Sequence, residues 1–180
     1  MLTTENSVLM FIDYQGRLAQ VMHDSTVLHE NMKKLVKGVN LLDVPVIWVE
    51  QYPKGLGETI SDIQALLVET SEPIAKMDFS ACEHENVRSL ITKYDRENFI
   101  VAGIEAHVCV YQTVKQLLQL GKHVEFVQDC ISSRTVENKQ VAEEKMKQLG
   151  AYPTSVEMVL FELMQTAKHP KFKEISALIK

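Results

Sequence analysis

Ile100-Val-Ala-Gly-Ile-Glu-Ala-His-Val-Cys109-Val110 is the stretch that decides the fold, because it leads a buried strand into a helix and places a thiol at the junction. The run Asn98–Ile104 is short, apolar and rich in β-branched residues, as in a parallel strand covered on both faces. Apolar residues then recur at helical spacing up to Gly121, which predicts a helix from about His107 with Cys109 in its first turn. Unpaired N–H groups at that turn favour an anion, so we expect the pKa of the thiol to be lowered.

Strands and helices alternate along the rest of the chain. Apolar runs predict further strands at residues 7–13, 46–50, 123–129 and, briefly, near 154–158. Helical spacing predicts helices at residues 28–42, 61–68, 83–94 and 136–149. The segment between Pro53 and Pro73 has no clear pattern beyond its short helix. Such alternation predicts an α/β domain over residues 1–180: a three-layer, Rossmann-like, doubly wound parallel sheet with helices on both faces.

Composition limits the classes of function. The chain has 180 residues and a hydrophobic content of 46%, enough for one domain with a proper core. Its formal net charge of −5 is spread over segments of mixed sign, so no basic stripe is available to bind nucleic acid. Residues 1–21 lack the cationic start of a secretion signal, and no apolar run approaches the ~20 residues of a membrane span. We expect a cytoplasmic protein that acts on a small molecule.

The cysteines and histidines do not form a recognisable metal or disulfide pattern. Cys82, Cys109 and Cys130 are an odd number without the paired spacing of a zinc site or a disulfide framework. The six histidines are scattered along the chain. We therefore expect neither a metal nor a cofactor, and a structural role for Cys82 and Cys130.

Asp13 and Lys76 are the two charged residues that could act together with the Cys109 thiol. Asp13 closes an apolar run, and a buried carboxylate needs a partner. Lys76 lies in Ile74-Ala-Lys-Met-Asp-Phe-Ser80. Taken singly, Asp13 is typical of a strand end, Lys76 of a surface lysine and Cys109 of a core cysteine.

Taken together, Asp13, Lys76 and Gly103-Ile-Glu-Ala-His-Val-Cys109 resemble the isochorismatase-like cysteine hydrolases over residues 6–162, and above all the branch called isochorismatase domain-containing proteins. The resemblance extends to Glu50-Gln-Tyr-Pro-Lys-Gly-Leu-Gly57 and to Phe79-Ser80. It implies a single hydrolase domain with strand order 3-2-1-4-5-6, in which the first strand lies beside the strand that precedes the cysteine. Because both ends then face the crevice of the sheet, Asp13 and Cys109 would meet there.

The resemblance also implies a chemistry, that of an amidase-like hydrolase. Cys109 would attack a carbonyl carbon to form a thioester, Asp13 would take the thiol proton, and Lys76 would offset the charge of both. The N–H groups of Glu105 and Cys109 would form the oxyanion hole, with a cis peptide at Ile104–Glu105. The remaining family positions imply a substrate pocket walled by Gln51, Tyr52 and Phe79.

Differences from nicotinamidases and isochorismatases narrow the range of expected substrates. Nicotinamidases carry an Asp-x-His metal pair where this chain has Glu50-Gln51-Tyr52, and isochorismatases typically have glycine where this chain has Cys109. A small amide or related acyl compound is therefore the expected substrate. The family resemblance and the apolar residues 152–163 predict a homo-oligomer, a dimer or larger. A non-catalytic binding or assembly protein and a redox-sensing thiol, resolved by Cys82 or Cys130, stay open as alternatives.

Overall fold

Six parallel strands form the sheet at the centre of the protein. This computed structural model describes residues 1–180. Its strands are β1 (Ser7–Ile12), β2 (Val46–Gln51), β3 (Pro73–Lys76), β4 (Asn98–Ile104), β5 (His123–Ser132) and β6 (Tyr152–Thr154). They lie in the order β3-β2-β1-β4-β5-β6, and each neighbouring pair is parallel. The predicted doubly wound sheet and its strand order are confirmed.

Helices cover both faces of this sheet. They are α1 (Gly16–Gln20), α2 (Ser25–Leu41), α3 (Pro53–Leu56), α4 (Ser61–Leu67), α5 (Glu85–Tyr94), α6 (Tyr111–Gln119), α7 (Val136–Gln148), α8 (Val156–Met164) and α9 (Phe172–Ile179). A 3₁₀ turn, Ala81–Glu83, precedes α5, and a π-helical turn, Ala106–Val110, runs into α6. Apolar residues of α2, α4, α8 and α9 pack on one face, and those of α5, α6 and α7 pack on the other. No helix has the length and apolar character needed to cross a membrane.

Strand β1 is apolar from Val8 to Ile12 because the sheet is covered on both faces. Leu9 and Phe11 belong to the core on one side of the sheet, while Val8, Met10 and Ile12 belong to the core on the other. Successive side chains of a strand point to opposite faces, so the middle of a strand that is covered on both sides is a continuous apolar run. The run ends at Asp13, where the strand leaves the core.

Strand β3 is not among the strands that the sequence predicts. It has four residues, begins at Pro73 and pairs only with β2 at the edge of the sheet. Proline is tolerated there, because the first residue of an edge strand need not donate to the ladder. The register sets Gln51 opposite Lys76, so this short strand delivers the lysine to the carboxyl edge of the sheet.

The expected strand at 154–158 is wrong in position. Strand β6 ends at Thr154, and the Ser155 hydroxyl accepts a hydrogen bond from the N–H of Met158 at 3.3 Å, which caps α8. The helix turns most of its apolar residues into the core and leaves Met158 and Phe161 exposed, and Tyr152 on β6 is exposed as well. The monomer thus buries Val156, Val159, Leu160 and Leu163 of this segment.

Gly103 allows β1 and β4 to approach closely at their carboxyl ends. Its φ is +141°, and a Cβ at this position would lie 2.1 Å from the carbonyl oxygen of Ile12. Only glycine avoids this clash. The close approach brings the residues that follow the two strands to one place.

Candidate active site

The ends of β1 and β3 and the π-helical turn after β4 bring Asp13, Lys76 and Cys109 together. Asp13 is 1%, Lys76 2% and Cys109 7% exposed, so all three side chains lie beneath the surface. The Lys76 ammonium donates to Asp13 Oδ2 at 2.8 Å. Lys76 departs from the surface position expected of a lysine taken singly, whereas Asp13 follows a strand end and Cys109 belongs to an apolar core. Packing alone does not require a buried ion pair beside the thiol.

Asp13 turns out of the strand in the left-handed conformation, with φ +53°. Asp tolerates this conformation better than most residues, and its N–H still donates to the carbonyl oxygen of Val49 at 3.1 Å. One carboxylate oxygen, Oδ2, faces Lys76. The other, Oδ1, is buried without an aligned hydrogen-bond partner, while the Cys109 thiol lies close enough to interact with the carboxylate. Asp13 is therefore placed to accept a proton from the thiol.

Four oxygen atoms surround the Lys76 ammonium: Asp13 Oδ2 at 2.8 Å, Gln51 Oε1 at 2.6 Å, and the carbonyl oxygens of Asp78 and Phe79 at 3.2 Å. An ammonium has three donors, so each can find an acceptor. A buried charge is tolerated only when it is paired and hydrogen-bonded in this way. The side chain is thus a fixed positive charge beside Asp13.

Cys109 lies in the π-helical turn, and its carbonyl oxygen accepts a hydrogen bond from the Thr113 hydroxyl at 2.7 Å. Burial raises the pKa of its thiol to about 12; the Asp13 carboxylate raises it as well, and Lys76 opposes the shift. The expected lowering of the thiol pKa is wrong. Loss of hydration and the neighbouring carboxylate outweigh the positive end of the helix and the lysine.

The site is balanced in charge. Burial also raises the pKa of Asp13, against the effect of Lys76. With Asp13 ionised, Lys76 protonated and the thiol neutral, the three groups carry no net charge. Moving the proton from Cys109 to Asp13 keeps the sum at zero, whereas releasing it to solvent leaves a net negative charge in a buried place. The surroundings therefore favour proton transfer within the pair.

Glu105 begins the turn that holds the thiol. The Ile104–Glu105 peptide is cis, as the resemblance implies. The Glu105 carboxylate accepts a hydrogen bond from Arg134 Nε at 2.9 Å, which ties the segment after β5 to the start of the turn. The N–H groups of Glu105 and Cys109 as oxyanion donors stay a prediction.

The three predicted pocket residues differ in their surroundings. The amide of Gln51 reaches the Lys76 ammonium, whereas Tyr52 is 47% and Phe79 56% exposed. Phe79 lines a groove of about 630 Å³ between the loop after β3 and α6. Asp13, Lys76 and Cys109 are not among the residues that line this groove. The aromatic rings thus flank the site at the surface, and their contact with a substrate stays a prediction.

Sequence reasoning missed Gln15, which is fully buried. Its side chain accepts from the N–H of Gln51 at 2.6 Å and donates to the carbonyl oxygens of Gln51 at 3.0 Å and Gly57 at 2.6 Å. Its place two residues after Asp13 is the only signal in the sequence, and that signal does not identify a partner 36 positions away.

The other thiols are buried and unpaired. Cys82 belongs to the same apolar core as Cys109, while Cys130 belongs to the core on the opposite face of the sheet. No group of three or more His, Cys, Asp or Glu side chains is arranged to share a metal ion.

Comparison with known proteins gives a consistent set of relatives. The family described as Isochorismatase domain matches residues 7–158. The chain is 36% identical to isochorismatase domain-containing protein 2 of Danio rerio, over 99% of this chain and 89% of the relative. It is 38% identical to the secreted isochorismatase effector Isc1 of Phytophthora sojae, over 99% and 87%. Among solved structures it is similar to the MAR1 ribonuclease of Caenorhabditis elegans, with a TM-score of 0.91 and 35% identity over 99% and 91% of the two chains.

Proposed function

The chain belongs to the isochorismatase family of hydrolases, and we propose that it is a cysteine hydrolase that cleaves a small amide or related acyl compound through a thioester intermediate. The observation that carries this proposal is the buried, charge-balanced group of Asp13, Lys76 and Cys109. Such a group can form a nucleophile on demand without changing the net charge of the site.

The reaction begins when Cys109 Sγ attacks the carbonyl carbon and its proton passes to Asp13. The tetrahedral oxyanion takes hydrogen bonds from the N–H groups of Glu105 and Cys109; a donor of this kind typically contributes ~10²–10³ in rate. As the C–N bond breaks, Asp13 returns the proton to the leaving amine, and the thioester remains. Asp13 then takes a proton from water, the resulting hydroxide cleaves the thioester, and the thiol recovers its proton from Asp13.

Lys76 has the same charge throughout this cycle. Its positive charge compensates the Asp13 carboxylate when that group is ionised, and it compensates the Cys109 thiolate when Asp13 holds the proton. Without the lysine the pair would carry an uncompensated negative charge in both states. This constancy is why a lysine in a fixed hydrogen-bond cage suits the reaction.

An activity screen of small amides, carbamoyl compounds and vinyl ethers tests the proposal, with Cys109→Ala as the blank. Intact-protein mass spectrometry detects the acyl adduct. A single-stranded RNA belongs in the panel, because one similar structure is named a ribonuclease. The net charge of −5 works against RNA binding. Amide cleavage with an adduct on Cys109 is the expected result. Activity that survives in Cys109→Ala, or cleavage of RNA alone, contradicts the proposal.

Redox sensing is the second candidate, since Cys82 shares the apolar core of Cys109. Peroxide treatment followed by peptide mapping separates the two functions. A reversible sulfenate or a disulfide between Cys109 and Cys82 after peroxide favours sensing, and a thioester adduct after incubation with an acyl compound favours hydrolysis. A binding protein without catalysis would give neither product.

Assembly and location complete the proposal. We place a homo-oligomer contact at Tyr152, Met158 and Phe161, which are exposed on one segment and apolar. The three unpaired thiols support a reducing, cytoplasmic location. Because the oomycete relative is named a secreted effector, fractionation of the native protein decides between the cytoplasm and export. The reaction uses no metal or other cofactor.

A further inference from the structure

We propose that Gln51 is a positioning residue of this site, whose amide holds Lys76 against Asp13 and therefore acts on the reaction through the lysine rather than by touching the substrate. The inference rests on the proposed function for its kinetic readout, but its principal test needs no substrate. It assigns Gln51 a different role from the pocket wall that the family resemblance implies.

Both ends of the Gln51 amide are already used within the protein. Its Oε1 accepts from the Lys76 ammonium at 2.6 Å, and its Nε2 donates to the carbonyl oxygen of Met77 at 2.7 Å. The ammonium can only donate and the carbonyl oxygen can only accept, so the orientation of the amide is fixed. Each end can form one further hydrogen bond, but a substrate that turned the amide would break one of these two contacts.

The backbone of Gln51 is fixed as well. The side chain of Gln15 accepts a hydrogen bond from the N–H of Gln51 at 2.6 Å and donates one to the carbonyl oxygen of Gln51 at 3.0 Å. It therefore holds the end of β2 in place. Gln15 is two residues after Asp13, and Lys76 donates to Asp13 at 2.8 Å. These contacts close a ring through Asp13, Gln15, Gln51 and Lys76 that joins the ends of β1, β2 and β3. The ring sets the place of the ammonium relative to the thiol.

The neutral charge of glutamine matters at this position. The charged and titratable groups that face Lys76 and its carboxylate partner are Asp13 after β1, Glu50 on β2 and Cys109 in the π-helical turn. A carboxylate in place of the amide would share the lysine with Asp13 and leave an excess negative charge beside the thiol. An apolar side chain of similar length would remove one acceptor from a buried ammonium. Either change disfavours the Cys109 thiolate.

The test is the rate at which iodoacetamide alkylates Cys109 as a function of pH, measured by peptide mapping in Gln51→Glu and Gln51→Met. The matched control is Gln140→Glu, which makes the same change of charge on an exposed position of α7. At mildly alkaline pH we expect the rate to fall about tenfold or more in Gln51→Glu, the effect of one pKa unit, and about threefold or more in Gln51→Met. The control should follow the parent protein, as should labelling of Cys82 and Cys130 in every variant.

The shape of the pH profile separates positioning from a general loss of structure. A profile for Cys109 that is displaced to higher pH and keeps the slope of the parent profile supports the proposal. Parent-like profiles in both variants, or faster labelling of all three thiols, overturn it. Circular dichroism and thermal melts check folding, and Gln51→Met, which buries no charge, decides the matter if Gln51→Glu does not fold.

Steady-state kinetics give the second readout. A positioning residue should lower kcat in Gln51→Met with KM within about twofold of the parent value, whereas a substrate-binding residue should raise KM with kcat unchanged. The second pattern overturns the proposal. If no compound in the panel is cleaved, the proposed function fails, but the alkylation profiles still decide the role of Gln51.

Discussion

Replacing Lys76 by methionine is the sharpest test of the charge balance in the site. The substitution keeps the length of the apolar stem and removes the ammonium that donates to Asp13 Oδ2 at 2.8 Å. Asp13 is then a buried carboxylate without a counter-ion, close to a second potential anion, Cys109. We expect the folded protein to lose stability at neutral pH, and to lose it in a way that depends on pH.

The magnitude follows from two limits. At an effective dielectric constant of about 20, unit charges at this separation attract by about 6 kcal/mol, which is the most that the pair can lose. Asp13 can escape part of this loss by taking up a proton. Protonating a carboxyl of ordinary pKa about 3.9 at neutral pH costs about 4 kcal/mol, so the loss cannot much exceed that value. Measured losses for a broken buried pair are about 3–5 kcal/mol. We therefore expect a loss of about 3–4 kcal/mol.

The direction of the pH dependence is fixed by Asp13. Burial raises its pKa in the folded protein even with Lys76 present, and removal of the cation raises it further. Below the pKa of the unfolded chain the carboxyl is protonated in both states, and the penalty is absent. As the pH rises above about 4, the unfolded chain releases its proton first, and the variant loses stability until the folded carboxyl also ionises.

Urea unfolding at acid and at neutral pH measures both quantities. Trp48, the single tryptophan, is fully buried on β2 and reports unfolding by its fluorescence. The matched control is Lys171→Met, which breaks a pair with Glu174 at 3.0 Å in which both side chains are about half exposed. That variant should lose at most about 1 kcal/mol at either pH. A loss in Lys76→Met no larger than in the control, or a loss that does not shrink at acid pH, would refute the charge balance.

Further outcomes are expected. Cys109→Ala and Asp13→Asn should each abolish turnover and keep the circular dichroism spectrum of the parent, since each removes a chemical group and little volume; activity in either variant would end the assigned roles. Alkylation of Cys109 should rise about tenfold per pH unit across the neutral to mildly alkaline range, because its thiol pKa is about 12, and a plateau near neutral pH would contradict that value. Purified protein should hold no stoichiometric transition metal and resist chelators, which elemental analysis and activity assays check. Light scattering at micromolar concentration should give a dimer or larger species that Phe161→Glu weakens; a monomeric parent would count against the contact.

The sequence predicted the parts of the fold that depend on burial. Apolar runs identified the central strands. Strand β3 was missed, because four residues beginning with Pro73 at a sheet edge carry no burial pattern. The start of α8 was misplaced for a related reason: the Ser155 cap is a local contact that an apolar run conceals.

The site likewise has residues that the sequence identified and contacts that it did not predict. The resemblance named Asp13, Lys76 and Cys109, but the contacts of Gln15 and Gln51 depend on the register of β2 against β1 and β3, which no local pattern specifies. The predicted direction of the pKa shift of the Cys109 thiol was wrong. A strand followed by a helix shows where the thiol lies along the chain, but it does not show how deeply the thiol is buried.

The raised pKa of Cys109 helps to separate the candidate functions. A redox-sensing thiol must be ionised and accessible before its oxidant arrives, yet Cys109 is 7% exposed and its pKa lies at about 12. A hydrolase has the opposite requirement, since the thiolate is needed only while a substrate is bound. Thiolates of higher pKa are also the stronger nucleophiles once formed. In the proposed mechanism, a buried thiol that gives its proton to Asp13 beside a fixed Lys76 is protected at rest and reactive only with a substrate bound. This combination favours the proposal of acyl transfer over sensing.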